Sequence, residues 1–174
     1  MSKKENKSGN SCHCVSNHSW SRSTLDELDF ERGAWNDALS GDLNKLRERI
    51  LRNPDLTNAL DSSGLTALHY ASRSGHFNIV SFLVNEGGAK VNIASRSGGA
   101  TPLHRAAYMG HIQIVSFLID HGGDPFIQDF DGNNSLHKSS EKKSSANKEV
   151  YNFLSLKFSS LASISNNRGL KPVF

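Results

Sequence analysis

Gly64-Leu65-Thr66-Ala67-Leu68-His69-Tyr70-Ala71 returns as Gly99-Ala100-Thr101-Pro102-Leu103-His104-Arg105-Ala106, and again as Gly132-Asn133-Asn134-Ser135-Leu136-His137-Lys138-Ser139. The three histidines stand 35 and 33 residues apart. A second block follows the first two copies at a fixed distance: Gly75-His76-Phe77-Asn78-Ile79-Val80-Ser81-Phe82-Leu83, then Gly110-His111-Ile112-Gln113-Ile114-Val115-Ser116-Phe117-Leu118. Self-similarity at a period near 33 residues marks a stacked-repeat architecture, in which no unit buries its own apolar face and neighbours must cover it.

Local chemistry gives each copy the same shape. Thr66 and Thr101 precede an apolar run, and a hydroxyl there can accept a bond from an orphan N–H of the helix it opens. Pro102 falls in a first turn, where no donor is needed. Leu68, Ala71 and Ser72, then Ile79, Val80, Leu83 and Val84, recur at helical spacing on two helices, each too short to be stable alone. Gly75 and Gly110 sit where the first helix ends and the chain reverses, a natural place for a left-handed cap. The pairs Gly87-Gly88 and Gly122-Gly123 are expected to end the second helix in the same way. Each unit therefore reads as helix, tight turn, helix and extended finger.

Three in-phase copies of a T-P-L-H-x-A-like opening, two with the G-H-x-x-I-V-x-F-L block downstream, resemble the ankyrin-repeat family over roughly residues 30 to 174. The resemblance implies an all-α ankyrin-repeat solenoid of stacked helix-turn-helix units with β-turn fingers. The expected division is a disordered tail over 1–23 and a repeat domain over 24–174. That domain would hold about four and a half repeats, the first degenerate and the last truncated.

The copies differ in ways that carry information. In the first, Trp35 takes the histidine position, Ala38, Leu43, Leu46 and Ile50 form the buried side, and Asp37, Asn44, Lys45, Arg47 and Glu48 the polar one. That composition suits a terminal capping repeat. Pro54 closes its second helix. Two extra residues between the second and third copies are assigned to Gly87-Gly88 and Gly98-Gly99, where glycine tolerates unusual dihedrals. In the fourth copy the reversal glycine is missing, and the run from Glu141 to Lys148 predicts a longer, mobile, polar loop. Val150, Phe153, Leu154 and Leu156 are expected on the buried side of the helix that follows. A fifth finger begins at Asn167.

The formal charge of +3 is mild and its lysines and arginines are scattered, unlike the concentrated basic footprint of a nucleic-acid binder. No apolar run approaches the ~18 residues of a membrane span, and the polar N-terminus has no signal-peptide core. The expectation is an intracellular protein, cytoplasmic or nuclear, with reduced thiols. Asn6, Asn17 and Asn133 begin glycosylation-type triplets, read as chance without a secretion signal. The first 23 residues are rich in Ser, Asn and Lys, a composition that predicts disorder. They hold Cys12, Cys14, His13 and His18. Cys12, Cys14 and His18 are weak zinc candidates, because no second cysteine pair completes a four-ligand set. Thr24-Leu25-Asp26-Glu27-Leu28 looks like a helix start. With Phe30 it reads as a lid over the first repeat, the alternative being a partner-docking helix.

His69, His104 and His137 would lie about 10 Å apart in a stack, too far to share a metal whose bonds to nitrogen are about 2 Å. They read as structural, each bonding the backbone of a neighbouring finger, and His76 and His111 receive the same reading. No nucleophile, base or phosphate loop recurs at usable spacing, so no enzyme and no cofactor is expected. In ankyrin proteins the finger tips and outer sides of the first helices form a concave face that commonly binds proteins. Carried over by register, that face holds Tyr70, Arg73, Arg105, Tyr108, Met109, Lys138 and Glu141, with Ser63, Leu65, Arg96, Ser97, Phe130 and Asn133 on the finger tips. Tyr, Arg and Met are interface-enriched types, and Tyr70/Arg73 and Arg105/Tyr108 are expected as aromatic–cation pairs. The resulting expectation is a monomeric adaptor or scaffold binding a protein segment with acidic and apolar groups. A reading from another class is a zinc- or redox-responsive regulator acting through the Cys12/Cys14/His18 tail.

Overall fold

The computed structural model describes residues 33–174. The tail with Cys12, Cys14 and His18 and the helix start at Thr24 lie outside the described residues. Within them the chain forms eight α-helices: α1 Ala34–Ser40, α2 Leu43–Arg52, α3 Ala67–Ser74, α4 Phe77–Asn85, α5 Pro102–Met109, α6 Ile112–Asp120, α7 Ser135–Glu141 and α8 Ser145–Lys157. Short 3-10 turns follow α2 at Pro54–Thr57 and α8 at Ser159–Ser163. The helices pair α1/α2, α3/α4, α5/α6 and α7/α8, and each pair packs on the next. No β-strand occurs among the described residues, so this part of the chain is an all-α solenoid of stacked helix pairs, the fold the resemblance implies.

One apolar seam runs through the stack. Leu46, Leu68, Ile79, Leu83, Leu103, Ile114, Leu118, Leu136, Leu154 and Leu161 are fully buried. Burying each aliphatic side chain contributes about 1.5–3 kcal/mol, and a helix of seven to thirteen residues needs that tertiary gain. Gly75 ends α3 at φ 83°, and a Cβ there would stand 2.8 Å from the His111 ring. The sharp reversal and the close approach of the next repeat both require glycine.

Between the helix pairs the chain makes narrow fingers closed by a pair of backbone bonds each, the outer ones being Asp61 N–H to Leu65 O, Ser95 N–H to Ala100 O, Asp129 N–H to Asn133 O and Asn166 N–H to Leu170 O, at 2.9–3.0 Å. The tips join side by side, Arg96 N–H donating to Ser63 O, Phe130 N–H to Gly98 O and Asn167 N–H to Asp131 O, all at 3.0 Å. A Cβ on Gly64 would lie 2.5 Å from the Arg96 nitrogen, which explains a glycine at the tip.

The two extra residues fall where the sequence assigned them. Asn58 bonds Gly88 O and Lys90 N, and Asn92 bonds Gly122 O and Asp124 N, so one insertion lies before Gly88. The other lies in the finger closed by Ser95 and Ala100. Glu86 and His121, not the glycine pairs, cap α4 and α6, and the left-handed residues are Gly88 and Gly122 just beyond.

Several expectations are corrected. Asp37 is not on the polar side: it is buried and pairs with Arg49 at 2.7 Å. Leu156 points outward, 86% exposed. The expected polar loop after Glu141 is only residues 142–144, because Ser144 caps α8 by accepting from Asn147 N–H at 3.2 Å and the remaining residues are helical.

Candidate functional site

The histidine at the third position of each first helix is committed to the fold at both ring nitrogens. His69 Nδ1 accepts from Thr66 N–H at 3.0 Å, so the geometry puts its proton on Nε2, which donates to Ala100 O at 3.1 Å. His104 repeats this with Thr101 and Asn133 O, and His137 with Asn134 and Leu170 O. The bonds to the next finger follow the sequence reading. Burial pushes the His69 imidazole down to about 4 and lowers His104 as well, since a charged ring loses its hydration there. Trp35 supplies the finger bond in the first repeat, its indole N–H donating to Ala59 O at 3.0 Å, but its helix has no side-chain cap.

His76 and His111 point the other way. Instead of bonding a finger, each donates Nε2–H back to the preceding repeat, to Leu39 O at 3.0 Å and Arg73 O at 3.1 Å. These are orphan carbonyls at a helix C-terminus. In the fourth repeat Asn147 supplies the equivalent bonds, to Ala107 O and Tyr108 O at 3.0 Å. Among the described residues no group of three or more His, Cys, Asp or Glu is arranged to hold a metal ion.

With the histidine turned inward, the next residue of each first helix faces the finger. Tyr70 donates its hydroxyl to Asp61 Oδ2 at 2.6 Å. Burial, then Asp61, raises the Tyr70 phenol above its ordinary range. Lys138 pairs with Asp129 at 3.0 Å and Glu141 at 2.7 Å. Burial opposes the Lys138 charge, yet the two carboxylates outweigh it and hold its pKa above the usual lysine value. Arg105, between them in the stack, makes no ion pair within 4 Å among the described residues. Burial, then the charge of Arg73, lowers its pKa.

Arg73, Arg105, Tyr108, Lys138 and Glu141 line one depression of about 400 Å³ on this face, together with Asp129 and Asp131. Tyr70 and Met109 lie outside its lining: Tyr70 is held by Asp61, and Met109 Sδ receives Lys142 Nζ at 3.2 Å. The ring of Tyr108 carries Lys142 at 4.4 Å, not Arg105 as expected. Asn133 is buried, not at the exposed finger tip. A second depression continues toward the C-terminal finger past Lys138 and Glu141 to Arg168 and Lys171. Asp61, Asp129 and Asp131 escaped the sequence reading, although the acid three residues before the finger-tip glycine recurs at Asp61 and Asp129.

No helix among the described residues is long and apolar enough to cross a membrane. A family model described as "Ankyrin repeats (3 copies)" matches residues 37–129 and 95–160. The chain is 52% identical over 67 residues to Ankyrin repeat domain-containing protein 39 of Homo sapiens, covering 38% of this chain and 36% of that protein. It is 56% identical over 54 residues to the Bos taurus protein of the same name, covering 31% and 29%. The 26S proteasome non-ATPase regulatory subunit 10 of Mus musculus is 46% identical over 50 residues, covering 29% and 22%. The matched stretches thus span about a third or less of these relatives' lengths.

Proposed function

The chain belongs to the ankyrin-repeat family, and from that premise we propose that it is a non-catalytic adaptor or scaffold binding a partner protein on its concave face. Ankyrin repeats are general protein-interaction modules. The observation that carries the reading is the convergence of Arg73, Arg105, Tyr108, Lys138 and Glu141, from three successive repeats, on one depression. Interface hot spots draw on Tyr and Arg in such positions. The non-catalytic part rests on the recurring His69, His104 and His137, since an imidazole bonded at both nitrogens has no site left to exchange a proton with a substrate. The partner segment carries acidic and apolar groups, the acid for Arg73 and Arg105 and the apolar part for Tyr108.

Affinity capture from a cell lysate tests this with the wild type and Arg73→Glu combined with Arg105→Glu. The double variant should keep a cooperative thermal transition and lose the captured protein. Capture at wild-type level by the folded variant would contradict the concave-face reading. Tyr70 is left unchanged because its bond to Asp61 makes it part of the scaffold.

A further inference from the structure

The fingers and first helices repeat one polar arrangement, and the third repeat breaks it. In the second repeat, Asp61 uses Oδ1 to accept Leu65 N–H at 2.7 Å and Oδ2 to accept the Tyr70 hydroxyl. In the fourth, Asp129 uses Oδ1 to accept Asn133 N–H at 2.8 Å and Oδ2 to pair with Lys138. Each carboxylate thus closes its own finger and holds the residue after the repeat's histidine. In the third repeat this position is Ser95. Its hydroxyl accepts Ala100 N–H at 3.1 Å, so the finger closes as before. A hydroxyl has no second oxygen to offer, and the residue after His104 is Arg105.

The mismatch is chemical. A guanidinium presents a planar fork of donors that fits a carboxylate. Arg105 is half-buried, and among the described residues neither it nor Arg73 has a carboxylate within ion-pair distance. The two flanking repeats supply an acid from within, whereas this one does not.

Resting on the concave-face reading, we propose that the third repeat receives its carboxylate from the partner: an Asp or Glu side chain of a bound peptide segment enters the depression and pairs with Arg105 and Arg73. That anion takes the role that Asp61 and Asp129 fill in the neighbouring repeats. Specificity follows from the same fact. Lys138 is already neutralised by Asp129 and Glu141 and offers an incoming acid far less, so the anion is read at the third repeat and not along the whole groove.

Ser95→Asp is the decisive variant, because it supplies the acid from within the chain. Short random-sequence peptides, displayed with both ends blocked, are selected on the wild type and on Ser95→Asp. One wild-type-selected peptide and its version with the acid changed to the amide are then titrated into both proteins by fluorescence anisotropy. Wild-type selection should enrich an acid at a fixed position. Changing it to the amide should weaken binding to the wild type by about tenfold or more, and to Ser95→Asp by less than about twofold. Ser95→Asp should keep or raise the thermal midpoint. Arg105→Gln provides the second arm and should lose the same acid preference. Groove-dependent peptides without an acid, or an acid preference intact in both variants, would overturn the carboxylate site alone. Peptides that bind the Arg73→Glu, Arg105→Glu protein as well as the wild type would overturn the concave-face reading itself.

Discussion

The central repeats, α3 to α6, and the C-terminal repeat, α7 and α8, make the same inter-repeat bonds with different residues. In the centre a threonine caps the first helix, a left-handed glycine ends it, and a histidine after that glycine ties it to the preceding repeat. At the C-terminal end Asn134 caps α7 by accepting Leu136 and His137 N–H, no glycine ends the helix, and Asn147 makes the backward bond. The finger after α8 is then secured by His137 to Leu170 O, Tyr151 to Pro172 O and Lys143 to Val173 O. What the stack demands is a donor aimed at particular orphan carbonyls. Any side chain of the right reach meets that demand.

The largest expected effect separates the regions by packing. Leu103→Ala should cost about 2–5 kcal/mol in urea unfolding, the range for truncating a buried leucine. Leu154→Ala should cost less, although both side chains are fully buried, because Leu103 has a helix pair on each side and Leu154 only a 3-10 turn and finger beyond it. An equal or larger loss at Leu154 would break the contrast.

Acid comes next. The His69 pKa lies at about 4 in the folded chain, against 6.5 for the free side chain. Between those values the unfolded chain binds the extra proton, so stability rises with pH across this window and is lost as pH falls from 6.5 toward 4. The loss from His69 is about 3 kcal/mol at most, and His104 adds to it in the same direction. Urea midpoints measured across this range check the slope, and His69→Gln should flatten it. An unchanged slope in that variant would remove His69 from the account.

The smallest effect probes the substituted staple. Asn147→Ala should cost about 1–3 kcal/mol by leaving the Ala107 and Tyr108 carbonyls without their donor, and His111→Ala a comparable amount or less, since its bond to Arg73 O is exposed. Similar values would sharpen the equivalence of the two regions. A neutral Asn147→Ala beside a costly His111→Ala would end it.

Much of this was legible in the sequence. The histidine register, the reversal glycines and the two inserted residues all follow from repeats that differ by single positions. The place of Trp35 was legible because it occupies the histidine position, although its indole bond to the next finger was not read from it. The fourth turn was not, since a missing glycine signals a longer loop, and Ser144 with Asn147 supplies cap and staple in a chemistry absent from the other copies. Asp37 was misread because helical polarity alone does not reveal that Arg49 of the next helix reaches back to it. On the candidate face the sequence named Arg73, Arg105, Tyr108, Lys138 and Glu141. It did not reveal that Lys138 is already paired and Arg105 is not. That difference depends on which finger residue stands opposite, and it emerges only when Ser95 is set beside Asp61 and Asp129.

One face, centred on the third repeat, is proposed to do the binding. The most direct test is an amide and arginine side-chain chemical-shift map of the isotope-labelled protein during titration with a peptide selected on it. The largest changes should fall on Arg73, Arg96, Ser97, Arg105, Tyr108 and Asp131, with the second helices α4 and α6 unmoved. A map centred instead on the outer apolar strip of Phe77, Phe117 and Phe153, with Arg73 and Arg105 unchanged, would contradict it.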